Sequence, residues 1–257
     1  MICLDKETIS LVGNKKQQNN PLPASLYHFF WKMMDWIYPP VCPGCNTLGY
    51  RFCADCQSQI NYLHNPICNQ CGQPLSNSNQ IRCDACIEHK PVFSHIRSLA
   101  IYEGAIRNAI LHMKFKQDFG ISEFLGDLLA DYFCAHLQWN IDYIVPVPLS
   151  IERQHTRGFN QAYRLAIPLA LKSQIPIKTN LLRRTINTLT QSDLPKKERL
   201  SNVKNAFSAT NENIIGKNIL IIDDVATTSS TINACSSVLI DKGANAVFGI
   251  TVARAVL

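Results

Sequence analysis

The chain has 257 residues, 46% of them hydrophobic and 17% charged, a globular composition long enough for one large domain or two smaller ones. No apolar run approaches the roughly 20 residues that cross a bilayer, and the Met1-Ile-Cys-Leu-Asp-Lys-Glu start lacks a secretory pattern, so no stable membrane insertion and a cytoplasmic location are expected. The net charge of +6 is uneven: residues 151–204 hold eleven Lys and Arg against three Asp and Glu, a local +8, which favours a polyanionic ligand, either a sugar pyrophosphate or a nucleic-acid backbone.

Residues 1–25 are polar, rich in Asn and Gln with Pro21 and Pro23, and read as a loose leader. An aromatic helix at 26–40 comes next. Its pattern carries Leu26, Phe29, Phe30, Met33, Met34, Trp36 and Ile37 and stops at Pro39 and Pro40. Because that stretch contains a single lysine, the aromatic surface is expected to dock on the protein's own core rather than on a membrane.

Eight of the eleven cysteines form four Cys-x-x-Cys pairs: Cys42/Cys45, Cys53/Cys56, Cys68/Cys71 and Cys83/Cys86. Each pair presents two thiolates to one ion, and two pairs complete a tetrahedral zinc site. Pro43, Gly44 and Gly72 are typical neighbours of such knuckles. The module at 41–93 has too few large apolar groups to fold alone, and a structural zinc contributes ~10–16 kcal/mol in small peptides. Two structural zinc ions are therefore expected. Sequential pairing of the knuckles is preferred, although spacing alone also permits interleaving. The pairs lack the βαβ context of a redox motif. Cys3, Cys134 and Cys235 are expected to be ordinary buried or terminal thiols.

From residue 97 onwards the pattern alternates. A strand is predicted at 98–102, helices at 105–115 and 121–137, and a strand at 141–147 closed by Pro146 and Pro148. A helix is predicted at 161–171, with Pro168 kinking or ending it. A strand at 219–222, a helix at 232–242 and a strand at 246–253 complete a βαβ unit. The implied fold class is α/β: a doubly wound parallel sheet over 97–257, with its ligand at the strand C-termini, beside the small zinc-ribbon domain.

The richest segment is 219–231. Its strand of Ile and Leu is followed by Asp223 and Asp224, then by Val225, Ala226 and the hydroxyl run Thr227, Thr228, Ser229, Ser230 and Thr231. A turn between strand and helix offers backbone N–H groups and the positive helix end to a phosphate. The carboxylates would repel that phosphate, but they suit vicinal sugar hydroxyls, so the pattern points to a ribose phosphate. A second anion contact is expected from the segment after Val145-Pro-Val-Pro-Leu, read as a strand end and turn. There Arg153 and Arg157 fork donors to phosphate oxygens, and Gly158 lets the backbone approach.

Residues 219–231 resemble the phosphoribosyl pyrophosphate (PRPP) signature of type I phosphoribosyltransferases. That resemblance implies that Asp223 and Asp224 hold the ribose hydroxyls, that the turn from Ala226 to Thr231 cradles the 5-phosphate, and that Mg²⁺ accompanies PRPP. Ser229 stands where that signature usually has Gly. The chain is similar more closely to the ComF family of competence-associated, phosphoribosyltransferase-like proteins. The similarity rests on the Pro-Pro-x-Cys-x-x-Cys region, on Tyr102-Glu-Gly with Lys114-Phe115, and on Val-Pro-Val-Pro-Leu with Arg157-Gly-Phe-Asn-Gln161. The stretch from Thr190-Gln-Ser-Asp-Leu to Phe207 belongs to the same match. The phosphoribosyltransferase likeness further implies a flexible loop at 188–199 whose Lys196, Lys197 and Arg199 close over the site.

Three functions compete. The first is a PRPP binder or an Mg²⁺-dependent phosphoribosyltransferase of nucleotide metabolism. The second, implied by the ComF resemblance, is a protein of natural transformation that handles single-stranded DNA. The third is a zinc-ribbon adaptor. No Gly-x-x-x-x-Gly-Lys-Ser/Thr loop is present, so any motor role belongs to a partner such as a competence helicase or DNA-processing protein.

Overall fold

A computed structural model describes residues 33, 36, 37, 39–116, 118–185, 206–210 and 212–256. The expected leader, most of the aromatic helix and the loop residues Lys196, Lys197 and Arg199 lie outside them. In chain order the elements are α1 (Ala54–Ser58), α2 (Asp84–Glu88), β1 (His95–Ile101), α3 (Gly104–Phe115) and α4 (Phe119–His136). Then follow β2 (Tyr143–Pro146), α5 (Ile151–Arg157), α6 (Gln161–Ser173), β3 (Leu182–Arg184), β4 (Phe207–Ala209), β5 (Asn218–Ala226), α7 (Ser230–Asp241) and β6 (Ala246–Arg254).

Four strands form a parallel sheet in the order β1-β6-β5-β2, and β3 and β4 pair antiparallel apart from it. The central strands are almost continuously apolar, as strands covered on both faces must be; Ile219 to Ile222 are all buried. Phe248 and Gly249 show the two coverings, since neighbours on a strand face opposite ways. Phe248 packs on Trp139, which meets Phe133 of α4. A Cβ on Gly249 would lie 3.1 Å from Ile232 of α7. Helices therefore flank both faces, as the alternating pattern implies.

The helices follow from apolar spacing. In α3, Ile106, Ala109, Ile110 and Met113 make the buried stripe; in α7, Ile232, Cys235, Ser236 and Leu239 do. Helix α6 runs through Pro168 to Ser173 instead of ending there. The ring of Pro168 sits over Gly126 of α4, where an added Cβ would lie 2.8 Å from its Cγ. Tight helix–helix packing thus offsets the amide that proline lacks.

The zinc-ribbon region covers the outer edge of β1. Leu63 N–H donates to Leu99 O at 3.0 Å, Ile101 N–H to Asn61 O at 2.8 Å, and Ile96 N–H to Gln70 O at 2.7 Å. An edge strand that would otherwise offer unpaired donors and acceptors is thereby capped. Gly72, at φ +74°, is required here: a Cβ would come within 2.7 Å of Ile96 O. One buried core runs from Cys42 to Ala253 without a break between knuckles and sheet.

Two expectations need correction. Met33, Trp36 and Ile37 of the expected aromatic helix are exposed rather than docked on the core. Cys134 is disulfide-bonded rather than an ordinary thiol, whereas Cys235 is a free, fully buried one. Among the described residues no helix is long and apolar enough to cross a membrane.

Candidate ribose-phosphate crevice and metal centres

Strand β5 does not stop at the acidic pair. On the β6 side it pairs onward to Ala226↔Arg254, while on the β2 side pairing ends at Pro146↔Ile222. Asp223 and Asp224 therefore project beyond the end of β2, where a crevice of about 270 Å³ opens. Both line it, as do Thr227 and Thr231 from the turn into α7. This is the strand C-terminal edge at which α/β sheets hold ligands.

The carboxylates are held differently. Asp224 is buried, and its Oδ1 accepts from Lys114 Nζ at 2.8 Å. Asp223 Oδ1 accepts the Asp224 backbone N–H at 2.9 Å. Burial, then the neighbouring Asp224 charge, pushes Asp223 up to about 7, against the pull of that N–H, Lys114 and Arg184.

The turn offers donors. Among the described residues, the backbone N–H groups of Thr227 to Thr231 have no acceptor, and Ser229 gives α7 no side-chain cap. Thr228 Oγ1 donates to Ser230 Oγ at 2.9 Å. Ser229 adopts φ +62°, the left-handed conformation that a glycine at this position would favour. Its hydroxyl accepts from Arg254 Nη1 at 3.2 Å, so the side chain turns away from the crevice instead of crowding it. Ala226, buried and paired with Arg254, contributes only the strand end.

Arg153 and Arg157 lie on the short helix α5, not in a turn. Four residues apart, they share a face, and both line the crevice. Ser150 caps this helix by accepting the Arg153 N–H at 3.3 Å. Gly158, at φ +73°, closes it as a left-handed C-cap and does not line the crevice. Its glycine serves the helix end rather than a close backbone approach.

Tyr102, Lys114, Asn160, Gln161 and Arg184 are among the crevice residues that had no assigned role in the motifs. Lys114 and Tyr102 belong to matched stretches of the family pattern, which was the available signal. Nothing local marks Arg184. Burial, then Arg153, holds the guanidinium of Arg184 below its ordinary range, and the same causes act on Arg157. Clustered cations that repel one another are poised for an anion.

The cysteines gather in sequential couples: Cys42, Cys45, Cys53 and Cys56 in one cluster, Cys68, Cys71, Cys83 and Cys86 in the other, with sulfurs within 4.8 Å of one another. The Cys45 and Cys53 sulfurs are 3.5 Å apart, and those of Cys71 and Cys83 are 3.6 Å apart. Disulfide sulfurs lie at about 2 Å; thiolates on a tetrahedral zinc with ~2.3 Å bonds lie roughly 3.8 Å apart. Both clusters fit structural zinc, and interleaved pairing is ruled out.

Sheet, crevice and clusters together define an α/β protein with a parallel sheet and an N-terminal double zinc ribbon. A family model described as a double zinc ribbon domain matches residues 33–87. Competence protein F of Haemophilus influenzae is 35% identical over 73% of this chain and 83% of its own length. DNA utilization protein YhgH of Escherichia coli K12 is 32% identical over 81% and 94%, and competence protein ComFC of Bacillus subtilis 31% over 75% and 79%. The chain belongs to the competence protein F (ComF) family. Among solved structures, the glutamine PRPP amidotransferase of B. subtilis is similar over 51% of this chain and 26% of its own, at 17% identity and a TM-score of 0.35. A purine phosphoribosyltransferase of Pyrococcus horikoshii is similar over 49% and 68%, at 17% identity and 0.29.

Proposed function

We propose that this chain is a DNA-handling protein of natural transformation whose crevice binds PRPP or a related ribose phosphate with Mg²⁺. The competence role rests on the relatives' names. The ligand reading is supported by one observation: an acid pair and the turn that follows it line the same crevice as Lys114, Arg153, Arg157 and Arg184. Asp223 and Asp224 accept the ribose hydroxyls, and the turn at 226–231 takes the 5-phosphate. The arginines take the pyrophosphate end, and Lys196, Lys197 and Arg199 extend that charge from the expected loop. Mg²⁺ coordinates pyrophosphate and ribose oxygens and so needs few protein ligands. Residues 41–93 act as the zinc module and 97–257 as the phosphoribosyltransferase-like unit, working in the cytoplasm.

Calorimetry with Mg-PRPP tests the ligand. Wild type binds, and Asp223→Ala with Asp224→Ala abolishes binding; equal binding by both proteins would sink the assignment. The +8 stretch at 151–204 supports single-stranded DNA as a second ligand. Its binding should fall steeply with salt, and an absence of oligonucleotide retention on filters even at low salt rejects it.

A second reading, an active Mg²⁺-dependent phosphoribosyltransferase, is favoured by the arginine cluster. Such charge would stabilise a pyrophosphate as its bond to the sugar C1 breaks. Pyrophosphate release from Mg-PRPP in the presence of a nucleobase or amine acceptor is its test.

A further inference from the structure

Arg254, the last residue of β6, is 3% exposed although it carries a full charge. Its Nε donates to Gln73 Oε1 at 2.7 Å, and its Nη1 donates both to Cys71 O at 2.7 Å and to Ser229 Oγ at 3.2 Å. Cys71 is a ligand residue of the second cysteine cluster, and Ser229 is the left-handed residue of the phosphate turn. One guanidinium therefore spans both. Its backbone is tied in as well: Arg254 pairs with Ala226 across the sheet, and its carbonyl accepts from the crevice residue Tyr102 at 2.8 Å.

Two needs meet at this contact. A buried guanidinium requires compensating negative charge, yet among the described residues no carboxylate forms an ion pair with Arg254. Four thiolates around one zinc ion carry net negative charge, and the second cluster lies directly beneath. The turn, for its part, holds a serine in a conformation that costs a non-glycine residue energy, without a helix cap. Among the described residues, the only side-chain bond reaching that turn from outside it is the one from Arg254. Among the described residues the first cluster makes no such link; it packs on α3 and α4 through Gly44 against Ala105 and Phe52 against Phe124.

We propose that Arg254 is a positioning residue that holds the phosphate turn in its binding conformation and is itself fixed by the zinc-loaded second cluster. Metal at Cys68, Cys71, Cys83 and Cys86 is then coupled to anion binding at 227–231, and metal at the first cluster is not. By linkage, a phosphate on the turn tightens zinc binding at the second cluster. The proposal rests on the ribose-phosphate reading only for the ligand's identity.

The test compares the full-length, zinc-loaded chain with Ser229→Ala, Arg254→Met and Arg254→Lys. It measures zinc content, binding of ribose 5-phosphate and of inorganic pyrophosphate, and hydrogen exchange at 227–231. Ser229→Ala and Arg254→Met should retain both metals, and Arg254→Met should retain wild-type pyrophosphate binding. Each should bind ribose 5-phosphate about tenfold more weakly, the scale of one lost charged hydrogen bond. The turn amides should exchange faster. Arg254→Lys, which reaches one partner at a time, should recover part of the loss. Unchanged ribose 5-phosphate affinity and unchanged exchange in Ser229→Ala overturn the proposal, and that variant decides the matter should Arg254→Met not fold. If wild type binds neither probe, the ribose-phosphate reading fails. Exchange still judges the coupling: Cys83→Ser should accelerate the turn amides and Cys45→Ser should not, and equal effects refute it.

Discussion

Replacing Lys114 with Met should destabilise the protein in a pH-dependent way. The Lys114 ammonium lies 2.8 Å from Asp224 Oδ1, with side-chain exposures of 18% and 12%. Removing one partner of a fully buried pair costs ~3–5 kcal/mol. Both groups here keep some contact with water, so the loss should be roughly 2–3 kcal/mol. For a chain of this size that corresponds to about 5–10 °C in Tm. Lys114 also steadies Asp223, whose pKa stands at about 7 because of burial and the Asp224 charge. A carboxyl raised above its unfolded value keeps a proton in the native state that the unfolded chain releases. Stability is therefore lost as pH climbs from the ordinary carboxylate range towards that pKa. Without Lys114, Asp223 is harder to ionise, so the destabilisation should be larger at about pH 8 than at about pH 5. Urea unfolding of wild type and variant at both pH values measures this. An equal loss at the two pH values, or none, refutes the coupling of Lys114 to the acid pair.

Ribose 5-phosphate affinity should rise as pH increases through about 7, because Asp223 accepts sugar hydroxyls best when ionised; Asp223→Asn should weaken binding and flatten that profile in calorimetric titrations. Replacing Arg153 and Arg157 with Gln should weaken pyrophosphate binding by roughly tenfold or more, since two charged hydrogen-bond donors are lost. The unligated protein should become no less stable in urea, because like charges that repel at the crevice are removed. Gly72→Ala should cost roughly 1–3 kcal/mol, from a methyl forced against Ile96 O and a left-handed backbone, read as a lower urea midpoint and faster zinc loss to a chelator. Gly126→Val should also lower the midpoint, by about 1–3 kcal/mol of overpacking against Pro168.

Features whose parts lie close together in the chain were legible in the sequence. Zinc ligands three residues apart reveal a knuckle because one tight turn must deliver both sulfurs, and the sequential clusters follow. The strand, acid pair and hydroxyl turn at 219–231 are likewise contiguous, and they do face one crevice. Where the local pattern misled, a neighbour had intervened. Pro168 reads as a helix breaker until Gly126 makes room for its ring, and Asp223 reads as a strand end until β6 extends the ladder. The stretch after Pro148 reads as a turn, yet Ser150 and Gly158 cap it as a helix.

The metal knuckles, the alternating α/β class and the hydroxyl-rich turn with its acids could be read from the chain alone, because each is written in residues that touch through a few intervening bonds. Long-range packing set which cations share the crevice and how the serine of the turn is oriented. Lys114 meets Asp224 from a different helix, and Arg254 reaches Cys71 across 183 positions of chain. Contacts of that span depend on how sheet, helices and zinc ribbon pack, and no local spacing encodes them.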